Sequence, residues 1–373
     1  MSKTYLLTGG TGFLGSLFSI ELIKKGDKVI FLGRAKDDKS FEQRIKEKLQ
    51  SIEPNISLNN LEIVEINLHK ENLEISNGYT DRFSGKIDAI WHLAANLSFK
   101  EKDKEKIFNT NIDGLKNILN LARKIEAPIF YISTAYVHGQ RPGIIFEDEL
   151  IKPKHFNNYY EESKFEGEKL IRKWNEDKNN KFIIFRPSIL IDPKVRILSF
   201  FGYYAIVRYL YKLRKKLNQK ELKVFVPYPY SKKCLLNLMP VDIAIKWMLD
   251  ISYNPKSFCK TFHITNPKPF PMKDISKQTF DAFNIKIPLV KMSGWFIRLC
   301  FSALYYLSFL LRPIRGLAKG FYYYRYYMTE YNVYDMKNTK EIIGDNLANQ
   351  FNFPDNYIEN VAREFIKKLN ENQ

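Results

Sequence analysis

Three cysteines are too few and too scattered to organise this chain: Cys234, Cys259 and Cys300 give neither a disulfide framework nor a metal-ligand pair. A reducing, cytoplasmic setting is expected, with no metal. Long hydrophobic runs are also missing. The most apolar stretch, Trp295 to Leu311, is interrupted by Arg298 and closed by Arg312, and its unbroken part from Leu299 falls short of the roughly 20 residues a membrane-spanning helix needs. The first apolar run after Met1 leads straight into glycines, so it reads as a strand and not as a leader. No repeat or long low-complexity linker is visible. Carboxylates are the scarce charge. Against 59 Lys+Arg stand 41 Asp+Glu, and the resulting +18 favours nucleic acid, anionic lipid or phosphorylated substrates as partners. A general richness in Lys, Asn and Ile accounts for part of that excess. Without a nucleic-acid module or zinc spacing, nucleic acid is not expected as a partner.

What is present starts at the first strand. A length of 373 residues suggests a main domain with a second lobe. The run ending in Thr8 is followed by Gly9, Gly12 and Gly15, then by an apolar helical pattern through Phe13, Leu14, Leu17 and Phe18. Glycines so placed let the backbone turn tightly and approach a pyrophosphate, whose charge suits the N–H groups of the new helix. A dinucleotide is the expected ligand. Lys28 to Leu32 reads as the second strand, followed by Arg34, where a basic side chain suits the 2′-phosphate of NADP and a carboxylate would suit the ribose of NAD. NADP(H) is therefore expected over NAD(H), the alternative being a plain surface arginine. Leu61 to Ile66 alternates like a strand and leads to Asn67 and Leu68, beside the expected adenine. After Ala89 to Leu93, the small residues Ala94 and Ala95 let a cofactor lie close. Lys104 to Ile125 reads as one long helix containing Asn111 and Gly114, and Pro128 to Ile132 as a buried strand ending in Ser133 and Thr134. Strand and helix keep alternating, which means an α/β fold, a Rossmann-like doubly wound parallel sheet with ligands at the carboxyl ends of its strands.

Tyr160 and Lys164 lie four apart on the helix that begins near Asn157, so they share a face. A free phenol, with a pKa of about 10, is a poor acid or base near neutrality. A neighbouring ammonium would lower that value and bring the phenol into range for proton transfer. Thr134, at a strand's carboxyl end, supplies a hydroxyl to orient a carbonyl oxygen.

Together, Thr8-Gly-Gly-Thr-Gly-Phe-Leu-Gly15, Ser133-Thr-Ala-Tyr-Val-His-Gly139, Tyr160 with Lys164, and Arg186-Pro187-Ser188 resemble the extended short-chain dehydrogenase/reductases. Leu32-Gly-Arg-Ala-Lys36, His92-Leu-Ala-Ala95 and Asn237-Leu-Met-Pro-Val-Asp242 look most like the fatty acyl-CoA reductase and thioester-reductase branch, the male-sterility-type NAD-binding proteins. The resemblance runs from about Thr4 to Asn266 and implies roles residue by residue. Tyr160 would be the general acid/base, Lys164 the ribose-binding and pKa-lowering lysine, and Thr134 the carbonyl-polarising hydroxyl. Asn111 would hold a water near the lysine, and Pro187 and Ser188 would meet the nicotinamide carboxamide. Asn67 departs from the Asp usual for the adenine amine. Ser133, His92 and His138 are expected to be structural.

Beyond Lys194 aromatic and basic residues interleave, as in Arg208-Tyr-Leu-Tyr-Lys212, and give an amphipathic helix that is either core or the wall of an acyl pocket. Two readings stay open for 295–327: monotopic contact with the inner face of a membrane, or a buried helix under a substrate tunnel. The expected division is a Rossmann domain over 1–193 and 235–266, with a smaller, mostly helical C-terminal substrate lobe over 194–234 and 267–373. The expected activity is NADPH-dependent reduction of an acyl thioester, on CoA or an acyl carrier, or of a related lipid carbonyl. A sugar-nucleotide epimerase/dehydratase or sterol-type dehydrogenase would use the same Tyr and Lys, and a membrane-associated NADP-binding scaffold is the non-enzymatic alternative.

Overall fold

The computed structural model describes residues 2–59, 61–176, 180–217, 221–310 and 314–372. Leu311 and Arg312, the expected end of the apolar stretch, lie outside the described residues. Seven parallel strands form the central sheet: β1 Thr4–Thr8, β2 Lys28–Gly33, β3 Leu61–Glu65, β4 Ala89–His92, β5 Ile129–Ile132, β6 Phe182–Pro187 and β7 Lys260–Ile264. Their spatial order is β7-β6-β5-β4-β1-β2-β3. Chain order reverses between β1 and β4, which pair in register from Tyr5 opposite Ala89 to Thr8 opposite His92. A crevice for a ligand opens there, outside the carboxyl ends of the strands.

Both faces of this sheet are covered, which is why its strands are nearly continuous apolar runs. Successive side chains alternate between faces. Tyr5, Leu7, Phe31, Trp91 and Phe185 point to one side, where helices Phe13–Lys24 and Val241–Tyr253 pack. Leu6, Ile30, Ile90, Tyr131 and Ile184 point to the other, against helices Gly114–Lys124 and Tyr159–Glu176. Met336, Leu347 and Phe351, from the C-terminal third, also pack into the first of these layers.

A separate apolar cluster holds the second lobe together. It joins helices Tyr203–Leu217, Met272–Ala282 and Tyr357–Glu371 through Tyr204, Phe280 and Phe365, among others. Phe301 from helix Gly294–Leu307 and Phe321 from helix Arg315–Tyr324 stack at 4.9 Å within it. The lobe returns to the sheet domain through a parallel pair, Asn332–Tyr334 with Gly143–Ile145.

One expected element is not continuous. In place of a single helix over 104–125 there is a helix Lys104–Phe108, a π turn Asn109–Asp113 and a helix Gly114–Lys124. The wide turn carries one surplus residue, as π-bulges do, and such bulges gather at functional sites. Its buried member is Asn111, whose side-chain hydrogen bonds reach two other segments and hold the surplus in place.

Candidate active site

The glycine loop is shaped by contacts no side chain could share. Gly9 has φ +79°, and a Cβ there would fall 2.6 Å from the Ala94 backbone nitrogen. Gly15 lies against the Gly9 carbonyl, and Gly12 N–H donates to that same carbonyl at 2.9 Å. Helix Phe13–Lys24 then starts with Gly12 as its cap, with no capping side chain and no acid in its first turn. Phe13 and Leu14 open that turn, so their N–H groups, left without helical partners, face the crevice end of the helix as a ready anion site. Ala94 and Ala95 follow β4 on the other side of the crevice. The Thr8 hydroxyl fastens the two strand ends, sharing a hydrogen bond with His92 Nδ1 at 2.8 Å and accepting one from Ala94 N–H at 3.3 Å. Burial drives the His92 pKa down to about 3, with Lys164 adding to the shift, so the ring is a neutral tie between strands. These residues fit a dinucleotide pyrophosphate.

A paired test follows. Gly9→Ala is expected to lose NAD(P)H binding and stability together, since the left-handed backbone costs an L-residue about 1–2 kcal/mol before the clash with Ala94 is counted. Gly12→Ala meets only the Gly9 carbonyl, at 3.2 Å, so its melting temperature should be unchanged while nucleotide binding falls. Thermal melts beside a nucleotide titration separate the two. Equal melting losses in both variants would show the loop to be structural.

Past β2, Arg34 is exposed. Its carbonyl accepts from Arg44 Nη1 at 2.7 Å, and Arg44 Nη2 reaches the Thr11 hydroxyl at 3.5 Å. Arg44 therefore bridges the glycine loop and the turn after β2. No motif marks it in sequence. Asn67 bends its carboxamide back on its own chain, its Oδ1 accepting from His69 N–H at 3.1 Å, while Leu68 is held through its carbonyl by Asn117 at 2.9 Å. At the far side of the sheet Pro187 closes β6. Ser188 gives its hydroxyl proton to Asn237 at 2.6 Å and its N–H to the Ile264 carbonyl at 3.2 Å.

Thr134 and Tyr160 come together from different elements. Thr134 stands just past β5, where its hydroxyl accepts from Tyr136 N–H at 3.3 Å and lies close enough to the Tyr160 phenol to lower its pKa. The helix Tyr159–Glu176 that carries Tyr160 is fixed at its start by Asn158, whose Oδ1 accepts from Glu161 N–H at 3.0 Å. Lys164 lies a turn further in and is buried. Its ammonium donates to the Ile132 carbonyl at 2.6 Å and sits 4.5 Å over the Tyr131 ring.

The electrostatics differ from the expected ones. Burial raises the phenol pKa of Tyr160 well above its usual value, Glu161 next door adds to the rise, and the Thr134 hydroxyl opposes it. The ammonium is the group pulled down, to about 7, by its own burial and against the pull of Glu168. Shared helix face is thus not shared chemistry, because Lys164 is turned to a carbonyl and a ring at the carboxyl end of β5. Asn111 is also committed. It accepts from Asn96 N–H at 2.7 Å and donates to the Asn96 carbonyl at 3.1 Å and the Ser163 hydroxyl at 2.8 Å. Both its amide protons are spent on protein atoms, so its side chain positions the Asn96 loop and the Tyr160 helix.

Three groups were given no role at the site from the sequence. Phe99 lies over Tyr160 with ring centroids 6.2 Å apart and continues onto Tyr324 at 5.5 Å and Tyr327 at 6.2 Å. Tyr327, from a tyrosine-rich run, donates its phenol proton to buried Glu161 and accepts from Asn158 Nδ2 at 2.9 Å. Arg186 and Glu168 form a fully buried ion pair at 2.7 Å, and the Ser133 hydroxyl donates to the same carboxylate at 2.6 Å. Beyond Tyr324 and Tyr327 lies a narrow cleft of about 40 Å³, walled by Ile189, Leu210, Met272, Ile275 and Phe321.

The profile of the male sterility protein family matches residues 7–248. The chain belongs to that family. Its members are NAD(P)-dependent oxidoreductases of the extended short-chain dehydrogenase/reductase type, and here the match runs from β1 into helix Val241–Tyr253. Fatty acyl-CoA reductase 1 of Arabidopsis thaliana is 29% identical over 166 residues, 39% of this chain and 34% of the relative. The terminal R domain of the myxalamid PKS-NRPS pathway superposes with a TM-score of 0.78 at 22% identity, covering 98% of this chain and 91% of that one. UDP-glucuronic acid 4-epimerase from Bacillus cereus shares the fold at a TM-score of 0.64 and 16% identity, covering 98% and 99%. The chain spans well under half the length of the curated relatives it matches, for instance 18% of a carboxylic acid reductase.

Proposed function

We propose that this member of the family reduces an acyl thioester, on CoA or an acyl carrier, with NADPH. The observation that carries the reading is the Thr134–Tyr160 hydroxyl pair, joined through Phe99 to an apolar cleft. Pyrophosphate would rest on the first turn of helix Phe13–Lys24, the 2′-phosphate between Arg34 and Arg44, and the nicotinamide ribose at Lys164 and Tyr160. A bound nicotinamide supplies the hydride. Thr134 and Tyr160 hydrogen-bond the carbonyl oxygen where charge develops. The raised pKa keeps the Tyr160 proton in place at neutral pH, and a developing alkoxide, a stronger base than phenolate, takes it.

The cleft argues for acyl over sugar. Of its hydroxyls, Thr279 is already bonded to Tyr203 at 2.9 Å and to the Ile275 carbonyl at 2.7 Å. A sugar's hydroxyls would lose water there for few partners, the Ser276 hydroxyl being one left without a bond, at a cost for each unpaired group. Acyl-CoA, sterol and nucleotide-sugar substrates, each assayed with NADPH and NADH under one condition, test the reading. Acyl-CoA with NADPH is the expected pair, and Arg34→Ala with Arg44→Ala should erase the preference for NADPH. Turnover of a nucleotide sugar alone would overturn the proposal.

Lys164 gives a pH signature. With its pKa near 7, the free enzyme loses the ammonium above that point, so kcat/KM for NADPH should fall as pH rises through about 7. Lys164→Arg, protonated throughout the range, should lack this limb. A flat wild-type profile would remove Lys164 from cofactor binding.

A further inference from the structure

Helix Gly294–Leu307 is packed on one side only. Within it Ile297 and Phe301 are buried, while Trp295 and Tyr306 are more than 60% exposed and Leu299 and Leu307 more than half. Leu310, just beyond the helix, is 83% exposed. Residues 295, 299, 306 and 310 are spaced by three to four residues or their sum, so they form one outward stripe. The single charge of the helix, Arg298, is drawn back to the Thr329 hydroxyl at 3.1 Å and over the Tyr326 ring. A second apolar point lies nearby in the fold. Phe225 and Val226 are 89% and 74% exposed, and the strand that follows them, Tyr228–Tyr230, pairs with Leu289–Lys291, which leads into this helix.

The charge along the stretch of sequence that carries this helix has one sign. Between Lys286 and Glu330 the sequence holds Lys291, Arg298, Arg312, Arg315, Lys319 and Arg325 and no carboxylate at all. Lys232 and Lys233, exposed, close the turn after Tyr228–Tyr230. We propose that the outward face of helix Gly294–Leu307, with the Phe225–Val226 loop, docks on an anionic lipid bilayer surface. A tryptophan and a tyrosine in the stripe, leucines beside them and cations at the rim are the composition that seats a helix in the headgroup layer. At 14 residues the helix is about 21 Å long, suited to lying along the interface. A second copy of the chain fits this face poorly, because a two-fold contact would set the same basic rim against itself. The surface stands apart from Tyr160, so its test is independent of the reductase assay.

The full chain is to be floated with vesicles of phosphatidylcholine, alone or mixed with phosphatidylglycerol, at low and high salt. Co-flotation is expected with the anionic vesicles at low salt, and at least tenfold less with neutral ones or at high salt. The variant Leu299→Glu with Leu310→Glu changes only exposed side chains. Its circular dichroism should be unchanged and its flotation lost, whereas Lys232→Gln with Lys233→Gln should weaken it about fivefold per charge. Wild-type protein left at the bottom of the gradient, or equal flotation of the glutamate variant, would overturn the proposal. So would a wild-type dimer that this variant converts to monomer without lipid, since the face would then be a subunit interface.

Discussion

Replacing Tyr160 by Phe is expected to lower kcat about 10²–10⁴-fold, the usual share of a positioned proton donor, while NADPH binding stays within about twofold. The ring is retained, so its stack with Phe99 at 6.2 Å survives. Only the phenol oxygen is lost, the atom that faces the Thr134 hydroxyl. The cradle at Gly9 to Gly15 and the Arg34–Arg44 pair are untouched. Thr134→Val should cost less, since it removes one of two donors to the oxygen and leaves the proton source. Single-turnover NADPH oxidation at saturating acyl-CoA, next to a binding titration, separates chemistry from affinity. An unchanged single-turnover rate in the Tyr160→Phe protein would end the proton-donor assignment.

The second large effect is on stability. Arg186→Leu strands the Glu168 carboxylate in a site where both side chains are fully buried. Removing one partner of such a pair typically costs about 3–5 kcal/mol, because the remaining charge keeps its desolvation penalty. More is at stake than one bond. Arg186 Nη groups also donate to the carbonyls of Phe146 at 3.1 Å and Glu149 at 2.9 Å, holding the segment between β5 and the Tyr160 helix against β6. Glu168→Leu together with Arg186→Leu should recover part of the loss, since two apolar side chains leave no orphaned charge. Urea unfolding of the two variants and the wild type measures this. A double variant no more stable than Arg186→Leu would show that the carbonyl contacts, and not the ion pair, carry the stability.

These two residues also mark what could and could not be seen in sequence. Tyr160 was visible because its position rests on local periodicity and its partner Thr134 on a strand end. The doubly wound parallel sheet was visible because runs such as Ile129–Ile132, and residues 182–185 of β6, are buried on both faces and so lack charged residues. Arg186 was seen only as part of a motif, since its pairing with Glu168 joins two elements whose contact depends on how helix Tyr159–Glu176 packs. Arg44 was hidden by its setting, one basic residue among many on a helix of ordinary amphipathicity. The π turn at Asn109–Asp113 was invisible because its cause is tertiary, the three bonds of Asn111, and not any local breaker. The direction of the Tyr160 pKa was misread because i, i+4 spacing says that two side chains share a face and not where their ends go. Depth in the protein decided that, sending Lys164 to Ile132 and leaving the phenol to feel its own desolvation.

The phenol of Tyr327 on Glu161 has a consequence for biogenesis. The pyrophosphate cradle is drawn from residues 9 to 95, but the wall of the cleft behind Tyr160 needs a tyrosine more than 160 positions further along the chain. Because the chain emerges N-terminus first, the reaction chamber can close only when translation has delivered the last third, long after the glycine loop has been made.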